Sequence, residues 1–417
     1  MYSLEEMQNE AAEHEEKIFS SCSNPRRFDP YIPGFDLPIW VETHDDYDEK
    51  IRTELDRYVD AVSKNFGAHA HVVSETTNIV QHIKHALQCE RSRDTEGAKQ
   101  HIKAIIKSYS SDRFFISELD DNFAFRGNSG FKKLQRGLSA QASKPLSFFR
   151  IRNGRYEAQE ALQHISRSRV SLCSSGRYNL PGLPCLYLAT TSYCSWRETD
   201  KPDEFSIAGY RPTEYGKKLK ILNLVNFSRL QVGIYNSHSM KDSPKELFES
   251  RVFLYPLTMA VSVAVKNPRA DANFRPEYTI SHLVMRCLRE FGIAGVAYRS
   301  SRIDDVLGLL HTINLAIPLF DREKIFSDFL ITDPGTFSPQ KGLCKEKQDA
   351  SSPQKHLCKE KQDAFGLSYL NKFYIKEDDV LSYISCYGRA IHYPKTSFSD
   401  IDNYLAGRTY YPMNNEK

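Results

Sequence analysis

The chain has 417 residues, 40% hydrophobic and 12% aromatic, which is long enough for two or three packed domains and too apolar for a disordered chain. Its 56 Lys and Arg nearly balance 53 Asp and Glu, and a net charge of +3 argues against the concentrated basic face of a nucleic-acid binder. No apolar run approaches the roughly 20 residues that span a bilayer, the opening Met1-Tyr-Ser-Leu-Glu-Glu is too acidic for a secretory signal, and nine scattered cysteines read as reduced core thiols of a cytoplasmic protein with no metal site.

In chain order, Ser3-Leu-Glu-Glu6 matches a capping box at a helix start. The turn-rich Asn24–Gly34 is expected to be irregular. Ile51, Leu55, Tyr58, Val59 and Val62 recur at helical spacing, with Gly67 placed to cap the helix. Two more helices are predicted over Asn78–Leu87 and Thr95–Ile106, giving a helical region over residues 1–115.

From Leu146 the pattern changes. Leu146–Arg152, Cys185–Ala189, Leu219–Val225, Met259–Val265 and Ile293–Tyr298 read as strands, and Tyr278–Phe291 carries an apolar stripe at helical period that Gly292 ends. Mixed helix and strand order predicts an α+β domain over 140–335. Ser338–Ser351 then recurs as Ser352–Phe365 with twelve of fourteen positions identical. Two copies are too few for a solenoid, and the Lys, Glu, Gln and Ser content predicts a solvated linker over 336–366. The segment 367–417 holds enough Tyr, Ile and Leu to pack against something.

Three residues stand out for chemistry, at intervals of ten and eleven: Arg177, Tyr187 and Glu198. The turn Gly176-Arg-Tyr-Asn-Leu-Pro-Gly182 brings backbone close to a ligand and carries a guanidinium, whose planar fork suits phosphate. The alternative is a surface turn with a solvated arginine. Tyr187 alternates with apolar neighbours in its strand, as either a core tyrosine or a ring lining a nicotinamide or ribose pocket. Glu198 ends Thr191–Glu198, a short helix that Ser192 would cap with Trp196 facing the core. Alone it reads as a solvated glutamate; beside Tyr187 it is a carboxylate able to stabilise a sugar cation. Arg150 and Arg152 share a face of an apolar strand and either bind a diphosphate or pair with acidic neighbours. Ser300 follows the strand Ile293–Tyr298, where polar site groups often collect. The chain has no Walker loop, HExxH, GxSxG or GxGxxG. Arg93 and His101 are near each other in sequence, but their spacing does not make a ribonuclease.

Gly176-Arg-Tyr-Asn-Leu-Pro-Gly-Leu-Pro-Cys-Leu-Tyr-Leu-Ala189 resembles the most characteristic block of the RES domain family. Phe149–Arg152, the Ser192…Trp196…Glu198 stretch, Phe274–Leu283 and Gly295–Arg302 resemble its other blocks, over roughly Leu146–Pro334. The resemblance implies an ADP-ribosyltransferase-like fold, preceded here by the helical region, and NAD as substrate. RES proteins split the nicotinamide–ribose bond, and many are toxins silenced by an antitoxin protein. Carried over, Arg177 would bind phosphates, Tyr187 would line the nicotinamide pocket, Glu198 would stabilise the ribosyl cation and Ser300, next to Ser301, would position the ribose. Arg150 or Arg152 would assist at the phosphates. The implied function is an NAD glycohydrolase or phosphorylase acting as a toxin or defence effector. The alternatives are a mono-ADP-ribosyltransferase and a non-catalytic nucleotide-binding protein. An antitoxin or trigger protein is the implied partner, with oligomerisation left open and no membrane or nucleic acid expected.

Overall fold

The computed structural model describes residues 32, 34–125, 145–165, 170–171, 173, 175–225, 245–266, 275–303, 312–320, 322–337, 383–386, 389–393 and 396–413. The capping box at Ser3, nearly all of the Asn24–Gly34 turn and the tandem repeat lie outside them.

Three helices, α1 (Tyr47–Phe66), α2 (Ala70–Arg91) and α3 (Thr95–Ser108), follow one another through short connections. Aspartates start two of them: the Asp46 side chain accepts from the Asp48 and Glu49 N–H groups, and Asp94 accepts from the Gly97 N–H. The apolar period does what it predicts, burying Ile51, Leu55, Tyr58 and Val62 completely or nearly so. Each such side chain contributes about 1.5–3 kcal/mol relative to exposure. Gly67 caps α1 in a right-handed conformation (φ −56°), so no left-handed turn requires glycine there. Gly292 does take the left-handed conformation (φ +64°), and the expected stop falls there.

The centre of the fold is a ten-stranded mixed sheet. Its strands are β2 (Ile116–Glu118), β3 (Phe148–Asn153), β4 (Cys185–Ala189), β5 (Phe205–Pro212), β6 (Lys220–Leu224), β8 (Ile293–Arg299), β9 (Ile313–Pro318), β10 (Phe329–Ile331), β11 (Gly335–Phe337) and β14 (Tyr411–Pro412). The order is β14-β10-β5-β3-β4-β9-β8-β6-β2, with β11 also on β5; β6 and β8 run parallel and the other pairs antiparallel. The fold is thus α+β with a helical N-terminal region. Both edge strands, β2 and β14, come from outside residues 140–335. Two small ladders stand apart: β1 (Ile39–Val41) with β7 (Val263–Val265), and β12 (Tyr383–Cys386) with β13 (Arg389–His392).

Among the described residues the remaining α-helices are α4 (Ser192–Glu198), α5 (Lys245–Phe253), α6 (Tyr255–Val261), α7 (Thr279–Cys287), α8 (Arg322–Asp328) and α9 (Ser397–Ala406). One expected strand is corrected here. Met259–Val265 starts inside α6 and only its end, β7, is extended. Every residue of α6 is buried, so it has no polar face to betray a period of 3.6, and Pro256 sits where a helix start tolerates it.

The two faces of the sheet are covered differently. On one, Phe148, Leu186, Leu188, Ala208, Tyr210, Leu315 and Ile317 form a single apolar cluster with Phe125, Leu162 and Ile325. On the other, two clusters meet. One joins α1–α3 and α5–α7 to Leu222, Leu224, Val296, Tyr298 and Ala316, so the N-terminal helices share a core with the strands. The second packs Phe149, Ile151, Ala189 and Ile207 under Tyr193 and Trp196 of α4 and Phe398, Ile401 and Leu405 of α9.

Candidate active site

The polar side chains of interest lie at the seam between those two clusters. Strand β9 reads Ile-Asn-Leu-Ala-Ile-Pro, and its one polar side chain, Asn314, is 3% exposed. In register Asn314 stands between Ala189 of β4 and Tyr298 of β8. Tyr187 is two residues from Ala189, hence on the same face.

Helix α4 follows β4 directly. Its cap is Thr191, whose hydroxyl accepts from the Cys194 N–H at 3.1 Å, rather than Ser192, whose hydroxyl donates to the Phe398 carbonyl at 3.1 Å. Trp196 is buried as expected. Asp402 of α9 accepts from the Ser192 N–H at 2.9 Å, so the segment beyond residue 367 helps seat α4. The helix ends at Glu198, whose Oε1 accepts from Asn314 Nδ2 at 2.6 Å. Its Oε2 lies 3.6 Å from Nε of Arg302, which also bonds Asp200.

The Gly176–Gly182 loop closes the site from the other side. His282 Nε2–H donates to the Gly176 carbonyl at 2.8 Å, and burial lowers the pKa of this imidazole and keeps it neutral. The Tyr178 N–H donates to the Tyr187 hydroxyl at 3.2 Å, and the Tyr178 and Tyr298 rings sit 4.3 Å apart by centroid. A Cβ at position 176 would lie 3.1 Å from the Tyr187 hydroxyl, so the loop approaches this strand as closely as glycine allows. Burial raises the Tyr187 and Tyr298 pKa values well above that of free tyrosine, and the Glu198 carboxylate adds to both. Both phenols are thus protonated, and both tyrosines share a sheet face with Asn314, which bonds Glu198.

Arg177 projects from the same loop, and its half-buried guanidinium is bonded to the protein. Nη1 donates to the Val261 carbonyl at 2.8 Å, and Nη2 donates to the Val263 carbonyl at 2.6 Å and the Ser301 hydroxyl at 3.3 Å. The guanidinium also lies 4.9 Å from the Tyr278 ring centroid. Arg177 thus ties the loop to the end of α6 and to β7. Ser300, fully buried, accepts from the Arg302 N–H at 3.2 Å, and Ser301 is the serine that meets Arg177.

Arg150 and Arg152 do not join this group. On β3 they share a face with Phe148, which packs with Leu186 and Leu188; Phe149 and Ile151 pack with Ala189 on the face that carries Tyr187. Arg150 Nη1 donates to the Tyr187 carbonyl at 3.0 Å from behind, and burial lowers its pKa. The sheet stands between both arginines and Glu198, an arrangement at odds with the phosphate role expected for either. Sequence reasoning also missed Asn314, Tyr298 and Arg302 as site groups. The signal for Asn314 was a lone amide in an apolar strand, and Tyr298 and Arg302 stood in a quoted block without a role. Among the described residues no group of three or more His, Cys, Asp or Glu side chains could hold a metal ion, and no helix is long and apolar enough to cross a membrane.

No family model matches the chain. A curated protein of Bacillus subtilis named "Putative toxin YopC" is 24% identical over 222 residues, which is 46% of this chain and 46% of that protein. The chain therefore spans less than half the length of the curated relative it matches. Among solved structures, the Mycobacterium tuberculosis MbcT-MbcA toxin-antitoxin complex contains a chain similar over 46% of this one and 84% of its own length, at 12% identity and a TM-score of 0.27.

Proposed function

We propose that this protein cleaves the bond between nicotinamide and ribose in NAD and acts as a growth-arresting toxin. The observation that carries the reading is the bond from Asn314 to the Glu198 carboxylate, on the sheet face that Asn314 shares with Tyr298 and Tyr187, the tyrosine that the Arg177 loop reaches. As the C1′–N bond breaks, its electron pair leaves with nicotinamide and positive charge grows on the ribose. A fixed carboxylate in a site with little water lowers the barrier to that charge separation. A buried tyrosine ring offers the flat face that a pyridine ring packs on, and Arg177 supplies positive charge beside the phosphates while it holds its own loop. The RES-like blocks support NAD as the substrate, and the likeness to a protein named as a toxin supports the growth-arresting role. An antitoxin partner belongs to the same reading.

The purified chain incubated with NAD should release nicotinamide. Chromatography identifies the other product as ADP-ribose with water as acceptor, or its 1″-phosphate when phosphate is present. Glu198→Ala should abolish release. NAD left intact by the wild type would overturn the enzymatic reading, and label fixed on one lysate protein while bulk NAD persists would favour a mono-ADP-ribosyltransferase.

A further inference from the structure

A buried amide in an apolar strand is costly unless both of its ends are paired. Asn314 pairs both, and with different partners. Its Nδ2 donates to Glu198 Oε1 at 2.6 Å, while its Oδ1 accepts from the Cys194 thiol at 3.3 Å. The first bond fixes which way the amide faces. A carboxylate offers only acceptors, so Glu198 takes the amide nitrogen and leaves the oxygen for the Cys194 thiol to donate to. The Asn314 oxygen is therefore turned to Cys194 and the nitrogen to Glu198. Cys194 is held in turn by the first turn of α4, whose N–H it gives to Thr191. The amide is thus set by strand register on one side and by the helix carrying Glu198 on the other.

From this arrangement we infer that Asn314 is a positioning residue that orients the Glu198 carboxylate for ribosyl transfer, an inference that rests on the proposed NAD-cleaving function. The two carboxylate oxygens are held unequally. Arg302, with a side chain 49% exposed, stands 3.6 Å from Oε2 on the solvent side and is shared with Asp200. Asn314 holds Oε1 from inside the fold, with no carboxylate of its own to share it. A substrate entering from solvent can displace the first contact and cannot reach the second. Asn314 would therefore act on the step that develops charge and leave substrate binding largely alone.

The test uses the full chain and NAD, with Asn314→Ala and the isosteric Asn314→Asp, each checked for a native thermal transition. Asn314→Ala should lower kcat about a hundredfold, the scale for a reacting group displaced by about 1 Å, with KM within about threefold. Asn314→Asp sets a second carboxylate against the first, so its residual rate should recover toward acid pH, where a shared proton restores a donor. Should Asn314→Ala keep near-wild-type kcat, or raise KM as much as it lowers kcat, the positioning role fails. Should the wild type leave NAD intact, the proposed function fails instead, and the two failures are told apart by that control. If Asn314→Ala does not fold, the pH profile of Asn314→Asp decides: an acid recovery supports the role and an unchanged profile refutes it.

Discussion

Arg177 gives the sharpest structural prediction, because the same residue is expected to serve stability and catalysis. Truncation to alanine leaves the carbonyls of Val261 and Val263 without the donors that now reach them at 2.8 and 2.6 Å. Hydrogen bonds to a charged group contribute about 1.5–3 kcal/mol each, and the ring of Tyr278 adds about 0.5–1 kcal/mol. Water will reach a half-buried site in part, so the lower ends of these ranges apply, about 3–4 kcal/mol in all. That is a sizeable share of the 5–15 kcal/mol by which folded proteins are typically stable. At roughly 2 °C per kcal/mol for a protein of this size, Tm should fall about 6–8 °C. Arg177→Lys should recover part of it, since one ammonium can reach a single carbonyl well but lacks the fork that spans two. Differential scanning calorimetry of the three proteins, with NAD turnover measured well below the lowest transition, separates the two roles. A Tm for Arg177→Ala within about 1 °C of wild type would show that the carbonyl contacts carry little, and the strut reasoning would be wrong.

Other expectations are as direct. Arg150→Met, behind the sheet, should leave NAD turnover within about threefold of wild type, while Glu198→Ala abolishes it; an inactive but folded Arg150→Met would refute the assignment of faces. Tyr187→Phe removes the acceptor of the Tyr178 N–H and should cost about 1–2 kcal/mol in urea unfolding while lowering turnover. Gly295→Ala would push a Cβ to 2.6 Å from the Ala316 carbonyl across β8 and β9, so the variant should fold poorly; wild-type expression and Tm would contradict the strand register. His82 and His101 meet at 3.1 Å, and burial followed by neighbouring histidines lowers the His82 pKa, while burial followed by His85 lowers that of His101, against Asp94. Groups with a depressed folded pKa bind fewer protons when native, so this contribution is present at neutral pH and lost as pH falls below the ordinary histidine value of about 6.5. His101→Gln should flatten that acid loss in Tm measured from pH 7.5 to 5.5.

Where a local pattern alone decides the structure, the sequence was readable. Strand β4 runs over Cys185–Ala189 as predicted, α1 follows the stripe from Ile51 to Val62, and Gly292 ends its helix through a backbone conformation few other residues accept. Where several elements decide together, it was not. Alternation along β3 puts Arg150 and Arg152 on one face but cannot say which; that depends on β3 lying beside β4 and β5, a pairing set by distant residues. Strands β5 and β9, central to the sheet, went unread because burial on both faces removes the alternation that marks a strand. Asn314 gained meaning only when register placed it under a helix more than a hundred residues away in the chain.

The seat of α4 carries a consequence for how this protein comes into being. Ser192 is held by the Phe398 carbonyl and the Asp402 side chain, and Trp196 and Tyr193 pack on Phe398, all on a helix made some two hundred residues later. A nascent chain emerging from the ribosome has Arg177, Tyr187 and Glu198 in hand long before the support for Glu198 exists. The seat of Glu198 is therefore completed late in synthesis, and a fragment truncated ahead of α9 should leave that carboxylate without its support.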